Sequence, residues 1–215
     1  YDHHKKGEQE LESEYVIVAA GTLNTLRLLF HSRDVVKGLS GMPMLGQRFG
    51  TNGDMMGYWD YNEPGTALSL GLKTAGGARV KGAENPPIIG GGGFPSVDSY
   101  PLPKRVRERI KRGSFVAGIG EDAMDGVVTY DRGKLKIQYD PDNSPVFKRI
   151  YDTIDSIVEK TGRKIYQPKR PITVHPTGGA RLGATIEAGV VDENGEVFDN
   201  PGLYVADAAA LPRAP

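Results

Sequence analysis

The 215-residue sequence has a formal net charge of +0 at pH 7, 25% charged residues and no cysteine. The balanced charge gives no general attraction to nucleic acid, and the lack of cysteine excludes disulfides, thiol catalysis and thiolate metal sites. A hydrophobic content of 38% is that of a globular protein with one or two domains. No apolar run reaches membrane-spanning length and no signal peptide is visible, so the sequence indicates no compartment.

The first predicted unit is a strand, a glycine turn and a helix. Residues 14–21 contain a continuous apolar run, as the buried strands of parallel sheets do. Thr22 is predicted to cap a helix that runs to His31 with an apolar face. This order can offer backbone N–H groups to a ligand, but it is equally the order of a sheet–helix unit with no ligand. In the polar segment before it, His3 and His4 have no third metal ligand at useful spacing.

From Met55 the pattern changes to short β-rich runs separated by turns, which predicts an antiparallel sheet. The runs are residues 56–61, 67–72, 87–89, 115–118, 127–130 and 135–139. Residues 131–134 have the composition of a hairpin turn between the last two runs. The four glycines at 90–93 are predicted to interrupt the sheet, either as a flexible bend or as a place where a flat substrate approaches the backbone.

Three further segments of this region are interpreted structurally. Residues 118–123 fit a Gly-x-Gly-x-x-Ala pattern, but two charged residues would face the pyrophosphate and a strand follows, so a hairpin is favoured over dinucleotide binding. The basic residues of 101–113 predict a helix with a solvated face; membrane or nucleic-acid contact is disfavoured by its narrow apolar stripe. Residues 144–161 predict a helix that packs on the sheet, capped by Asn143 or Ser144 and ended by Gly162.

The stretch with the most chemical content is residues 173–183, Thr-Val-His-Pro-Thr-Gly-Gly-Ala-Arg-Leu-Gly. Pro176 holds the preceding residue extended, and Gly178 and Gly179 allow positive φ or the close approach of a ligand. A neutral His175 could accept a proton from an alcohol, although a lone histidine is more often a structural residue. Asp207 follows a short apolar strand, where open α/β sheets place ligand contacts; its alternative role is to cap the turn at 208–210.

Three motifs together closely resemble the C-terminal part of glucose–methanol–choline oxidoreductases, which are flavoenzymes that oxidise alcohols with FAD. They are His-Pro-x-Gly-Gly-x-x-x-Gly from His175, Gly-Val-Val-Asp from Gly189 and Gly-Leu-Tyr-Val-Ala-Asp-Ala from Gly202. Residues 15–29 with residues 48–54 look most like the cholesterol-oxidase branch. The resemblance implies an α/β fold, α+β overall. Residues 1–54 and 166–215 would be parts of an FAD-binding Rossmann-like domain, and residues 55–165 an antiparallel substrate-binding sheet with flanking helices.

The resemblance also implies a site. His175 would lie at the reactive edge of FAD, next to the hydroxyl of a small-molecule alcohol or sterol. The cofactor contacts would come from small and acidic residues at the ends of strands, namely Ala20, Gly21, Gly178, Gly179, Asp207 and Ala208. No metal is implied. Sterol oxidases carry a glutamate at about the position of Gly91 or Gly92, so an isomerase step does not follow from the resemblance.

Two features limit what this chain is expected to do alone. The Gly-x-Gly-x-x-Gly loop of the family has no credible copy here, and the sequence reads as an internal piece of a longer protein. We therefore expect the 215 residues to hold FAD weakly and to be inactive by themselves. A second interpretation remains open, in which the chain is a non-catalytic module that binds a hydrophobic ligand.

Overall fold

The structure, a computed structural model, describes residue 7 and residues 10–61, 70, 76–79 and 85–214. Its helices are α1 (Thr22–Asp34), α2 (Lys104–Ile110) and α3 (Pro145–Thr161). Its strands are β1 (Val16–Val18), β2 (Gln47–Gly50), β3 (Met55–Asp60), β4 (Gly76–Arg79), β5 (Ile88–Gly92), β6 (Gly113–Ile119), β7 (Gly126–Asp131), β8 (Lys134–Gln138), β9 (Lys164–Tyr166), β10 (Thr177–Gly178) and β11 (Leu203–Val205). Within this part of the chain, no helix has the length and apolar character that crossing a membrane requires.

The largest sheet has five antiparallel strands in the order β4-β5-β6-β3-β9. Helix α3 packs on one face of it, because its apolar residues recur at helical period and every second strand residue points toward them. The resulting core contains Met55, Ile89, Val116, Val146, Phe147, Ile150 and Ile154. The mixed α/β architecture with an antiparallel sheet confirms the predicted fold class.

The glycine run does not interrupt this sheet, and that prediction is wrong. Gly90, Gly91 and Gly92 are part of β5, where they pair with Ala117, Val116 and Phe115 of β6. Extended backbone suits glycine sterically, and strand neighbours on both sides supply the hydrogen bonds that hold the segment straight. Most of the strand predicted at residues 67–72 lies outside the described residues.

A second sheet has the order β10-β2-β7-β8. The hairpin predicted at residues 131–134 is confirmed, since Asp131 pairs with Lys134 between β7 and β8. The hairpin predicted at 118–123 is wrong, because β6 and β7 belong to different sheets. This segment carries the chain from the five-stranded sheet to the second sheet. There β7 and β8 join β2, from early in the sequence, and β10, from late in the sequence.

The first strand pairs in parallel with β11 alone among the described residues. It is shorter than predicted, and Tyr15 and Ile17 are 58% and 67% exposed rather than buried. The exposure follows from the pairing, because one neighbouring strand covers one edge and leaves the faces open. Helix α1 begins after Gly21, so Thr22 does not cap it; the Thr22 hydroxyl donates to the Pro176 carbonyl at 2.6 Å instead.

The helix predicted at 144–161 is confirmed as α3, with Gly162 in the left-handed conformation at its end. Ser144 precedes it, but its hydroxyl accepts a hydrogen bond from Ala123 N–H rather than from the helix. The division of the chain at residues 54 and 165 stays a prediction.

Candidate active site

His175 lies on the segment between β9 and β10, with its side chain about half exposed. One ring nitrogen, Nδ1, is 2.7 Å from Oδ2 of Asp54. Asp54 directly precedes β3, an inner strand of the five-stranded sheet whose first residue, Met55, lies in the core. The predicted catalytic histidine is therefore anchored next to the start of β3 through one nitrogen, while about half of its side chain stays exposed.

Asp54 is the residue around which the His175 segment folds. Its side chain is 2% exposed, and Oδ2 also accepts from the Thr173 hydroxyl at 2.8 Å and from Val174 N–H at 3.2 Å. The sequence interpretation included Asp54 in a matching motif but gave it no role. An acidic residue before an apolar strand was the only available signal, and it does not reveal a histidine partner 121 residues away.

A second buried carboxylate, Asp122, bonds to the loop of residues 51–54 that also contains Asp54. Asp122 Oδ2 accepts from Thr51 N–H at 2.7 Å, from the Thr51 hydroxyl at 3.0 Å and from the Tyr139 hydroxyl at 3.0 Å. The Thr51 carbonyl in turn accepts from Thr173. We call this set of residues the Thr51 junction: Thr51, Asp54, Asp122, Tyr139 and Thr173.

The Tyr139 hydroxyl of the Thr51 junction has a raised pKa. Burial raises the pKa of Tyr139 to about 12, and the nearby charge of Asp122 acts in the same direction, while hydrogen bonds to Ser144 and Thr51 oppose the rise. Tyr139 therefore stays a neutral hydroxyl that can donate to Asp122 throughout the ordinary pH range.

The two glycines after the His-Pro pair meet protein atoms closely. A Cβ on Gly178 would lie 2.2 Å from the Arg48 carbonyl oxygen, and one on Gly179 would lie 2.7 Å from the Leu26 side chain. Both residues also have positive φ, of 75° and 84°. Packing of β10 against β2 and α1 is thus sufficient to require glycine here. A contact of either glycine with a cofactor stays a prediction.

Asp207 joins the two parallel strands at their carboxyl ends. Its Oδ2 accepts from Gly21 N–H at 2.9 Å and from the Thr25 hydroxyl, and its Oδ1 accepts from Ala209 N–H at 2.9 Å. The last contact is the turn cap that was the alternative role for this residue. The first two bring the predicted cofactor residues Gly21 and Asp207 into direct contact.

Backbone donors at this edge remain available to a ligand. The N–H of Ala208 has no hydrogen-bond acceptor within the described part of the chain. A Cβ on Gly21 would meet no atom within 4 Å, so the approach to the first turn of α1 is open. By contrast, the Ala20 N–H donates to Thr25 and the Ala20 carbonyl accepts from Asn24. The geometry leaves room for a polar group at the start of α1, beside the Asp207 carboxylate.

Hydrogen bonds link the predicted cofactor residues and His175 in one continuous row, which we call the His175 edge. The bond from the Thr22 hydroxyl to the Pro176 carbonyl ties the start of α1 to the residue that follows His175. Going along the edge, the order is Asp207, Gly21, Thr22, Pro176, His175 and Asp54. Within the described ranges, no group of three or more histidine and acidic side chains could hold a metal ion.

An apolar cavity lies elsewhere. Its volume is about 480 Å³, and it is bounded by Trp59, Ile89, Val116 and the C-terminal half of α3. Ile89 and Val116 point toward α3, so the cavity is on the helix-covered face of the sheet. Neither His175 nor Asp54 lines it.

Comparison with known proteins identifies relatives for several parts of the chain. Residues 131–215 match the C-terminal model of the family described as GMC oxidoreductase. A long-chain-alcohol oxidase, FAO4B of Arabidopsis thaliana, is 29% identical over 119 residues, which are 54% of this chain and 16% of the oxidase. A cholesterol oxidase of Mycobacterium tuberculosis is 37% identical over 71 residues, which are 33% of this chain and 12% of that enzyme.

Solved structures agree with the fold over nearly the whole chain. A formate oxidase superposes with a TM-score of 0.61 at 17% identity and covers 93% of this chain. An FAD-dependent oxidoreductase from Chaetomium thermophilum gives a TM-score of 0.57 at 15% identity and covers 94%. The chain spans about half the length of these two proteins, 50% and 51%, and a smaller share of the curated relatives.

Proposed function

The C-terminal region of this chain is that of a GMC oxidoreductase, and on that premise we propose that it belongs to an FAD-dependent alcohol oxidase or dehydrogenase with His175 as its base. The observation that carries the proposal is how the imidazole ring of His175 is bonded and exposed. Its Nδ1 is occupied by the buried Asp54, whereas the ring as a whole is half exposed. Nε2 is thus the nitrogen available to a substrate hydroxyl.

The residues at the edge fit the cofactor that the family uses. The open first turn of α1 at Gly21 and the unpaired N–H of Ala208 would hold phosphate or ribityl oxygens, and Asp207 fixes both segments. FAD, when bound, supplies an acceptor for the hydride of the alcohol carbon. An FAD-dependent oxidoreductase among the structural neighbours agrees with this assignment.

His175 performs the proton chemistry. The hydroxyl of the alcohol donates to Nε2, and His175 accepts its proton as the carbonyl product forms. Because Nδ1 is tied to a buried carboxylate, the ring does not need to reorient during the reaction. The positive charge that develops on the imidazole is next to the negative charge of Asp54.

The sheet face beside His175 supports an apolar alcohol as substrate. Strand residues alternate between faces, and Met55 points toward α3, so Met56 points to the opposite face. Ala117 and Gly90 are its successive cross-strand partners on that face. Their small or apolar side chains leave room for a hydrocarbon skeleton, and the long-chain-alcohol and cholesterol oxidases among the relatives support a fatty alcohol or sterol.

One observation favours the second candidate function, a module that binds a hydrophobic ligand without turnover. The apolar cavity beneath α3 shares no residue with the His175 edge, so it could be occupied independently of any chemistry. The experiment below separates the two candidates, because a binding module has no flavin reduction for His175 to affect.

The test is anaerobic stopped-flow reduction of the flavin by a long-chain alcohol and by a sterol, in the intact, cofactor-loaded enzyme that contains this chain. His175→Ala should slow reduction by about 10²–10⁴-fold, the usual contribution of a positioned base. Its flavin content should stay unchanged, because the predicted cofactor contacts lie elsewhere. His175→Gln should recover part of the rate only if the ring mainly orients the hydroxyl.

The matched control is His31→Ala, which removes a histidine in the last turn of α1 whose ring bonds to Tyr130. This variant should reduce its flavin at the wild-type rate. A His175→Ala protein that also reduces its flavin at the wild-type rate would remove His175 from the mechanism.

A further inference from the structure

We propose that Asp54 is a positioning residue, which holds His175 in the tautomer that carries its proton on Nδ1 and leaves Nε2 free to accept the substrate proton. The inference deepens the proposed function and rests on His175 being the base. It assigns a role to a residue that acts through the histidine and does not touch the substrate.

The first support is the contact itself. Asp54 Oδ2 lies 2.7 Å from His175 Nδ1, which is within the range of a charge-assisted hydrogen bond. An ionised carboxylate can only accept hydrogen bonds, so the nitrogen that faces it must donate. In a neutral imidazole the other nitrogen is then the acceptor. The carboxylate therefore determines which nitrogen meets the substrate.

The second support is the rigidity of the carboxylate. Asp54 is 2% exposed, and its Oδ2 is also held by Val174 N–H and the Thr173 hydroxyl. The Thr173 oxygen in addition accepts from His175 N–H at 2.9 Å. The backbone of the histidine and its ring are thus fixed by the same pair of side chains, which limits both the position and the rotation of the imidazole.

The third support is the charge at the reacting ring. When Nε2 takes the hydroxyl proton, the O–H bond breaks, an N–H bond forms and the imidazole becomes an imidazolium. The negative charge of Asp54 stabilises that cation at Nδ1 without taking up the proton. Within the described residues no arginine or lysine forms an ion pair with Asp54, so His175 becomes its ion-pair partner once the ring has taken the proton.

The direct test is the tautomer of His175 in the chain labelled with ¹⁵N-histidine. Long-range ¹H–¹⁵N correlation spectra distinguish a protonated from an unprotonated ring nitrogen, and the His175 signals are those missing from His175→Ala. At a pH where the ring is neutral, the wild-type His175 should carry its proton on Nδ1. Asp54→Asn should shift the ring toward a mixture of tautomers, because an amide can either donate or accept.

The matched control is Asp122→Asn. Asp122 is also a buried carboxylate, 7% exposed, and it bonds to the same Thr51 loop, but it does not contact His175. A merely structural effect of losing a buried charge at the Thr51 junction would appear in both variants. A positioning effect on the tautomer would appear only in Asp54→Asn.

In flavin reduction by the intact, cofactor-loaded enzyme, Asp54→Asn should lower the limiting rate by about 10–100-fold, the size of effect found when a residue that orients a metal-binding histidine is removed. Asp122→Asn should change it much less. A wild-type ring protonated on Nε2, or an Asp54→Asn protein with wild-type tautomer and rate, would overturn the proposal. A slow His175→Ala beside a normal Asp54→Asn would overturn the positioning role and leave the function of His175 standing; a normal His175→Ala would overturn both.

Discussion

The Thr51 junction and the packing of α3 on the five-stranded sheet hold the molecule together by different means. The junction consists of buried polar groups, including two carboxylates that bond to one loop, and Gly178 beside it meets backbone at close range. The α3 interface consists of aliphatic and aromatic side chains with 0–9% exposure. The stability of the junction depends on the direction of each hydrogen bond, and that of the α3 interface depends mainly on how well side chains fill the available volume.

The difference bears on where chemistry can be placed. Apolar packing tolerates exchange between side chains of similar volume, so it does not fix one functional group to a fraction of an ångström. A buried carboxylate with several defined donors does fix its partners, at the cost of sensitivity to protonation. His175 is attached to the polar region, whereas the sheet and α3 supply a rigid support beneath it.

The largest stability effect should come from the apolar region. Ile150 is 0% exposed, and Gly118 on β6 leaves the space that its side chain fills. Ile150→Ala should lower the free energy of unfolding by about 2–5 kcal/mol through lost burial and a cavity. Because no ionisable group is involved, the loss in urea denaturation should be the same at pH 7 and pH 11. Ile137→Ala, on a residue 46% exposed, is the control and should cost far less.

A smaller loss of stability is expected from Gly178→Ala, on β10 beside the junction. The new Cβ would approach the Arg48 carbonyl, and the positive φ adds backbone strain, together about 2–4 kcal/mol. Gly133→Ala is a matched control with the same sign of φ, +81°, and open space around the new Cβ. Their difference in unfolding free energy isolates the close approach. Equal losses would show that β10 does not pack as tightly against β2 as described.

The smallest effect at neutral pH should be that of Tyr139→Phe, about 1 kcal/mol for its hydrogen bonds. Its distinguishing feature is pH dependence. The folded-state pKa of Tyr139, about 12, lies above the ordinary tyrosine value of 10.0, so the stability it contributes is complete below pH 10 and is lost as pH rises toward 12. Tyr139→Phe should therefore lose less stability than the wild type between pH 10 and 12. Tyr130→Phe, outside the junction, is the control. If it reduced the loss of unfolding free energy between pH 10 and 12 as much as Tyr139→Phe does, the assignment of that loss to Tyr139 would be wrong.

The two regions also differ in how far sequence could predict them. Helix α3 and its C-terminal glycine followed from periodicity, because an apolar stripe at helical spacing has few other structures open to it. The hairpin at 131–134 followed from local turn chemistry. The contact of Asp54 with His175 joins residues 121 positions apart and leaves no local pattern. The exposure of β1 was missed for the same reason, since burial depends on neighbouring strands that a local apolar run does not specify.

The central claim is that His175 meets the substrate through Nε2 while Asp54 holds Nδ1. The most direct test is a crystal structure of the flavin-loaded protein with a bound long-chain alcohol or sterol. We predict the substrate oxygen within about 2.6–3.2 Å of Nε2, with the Nδ1 to Asp54 hydrogen bond retained. A substrate oxygen bound to a different side chain, or an imidazole turned away from Asp54, would contradict the account.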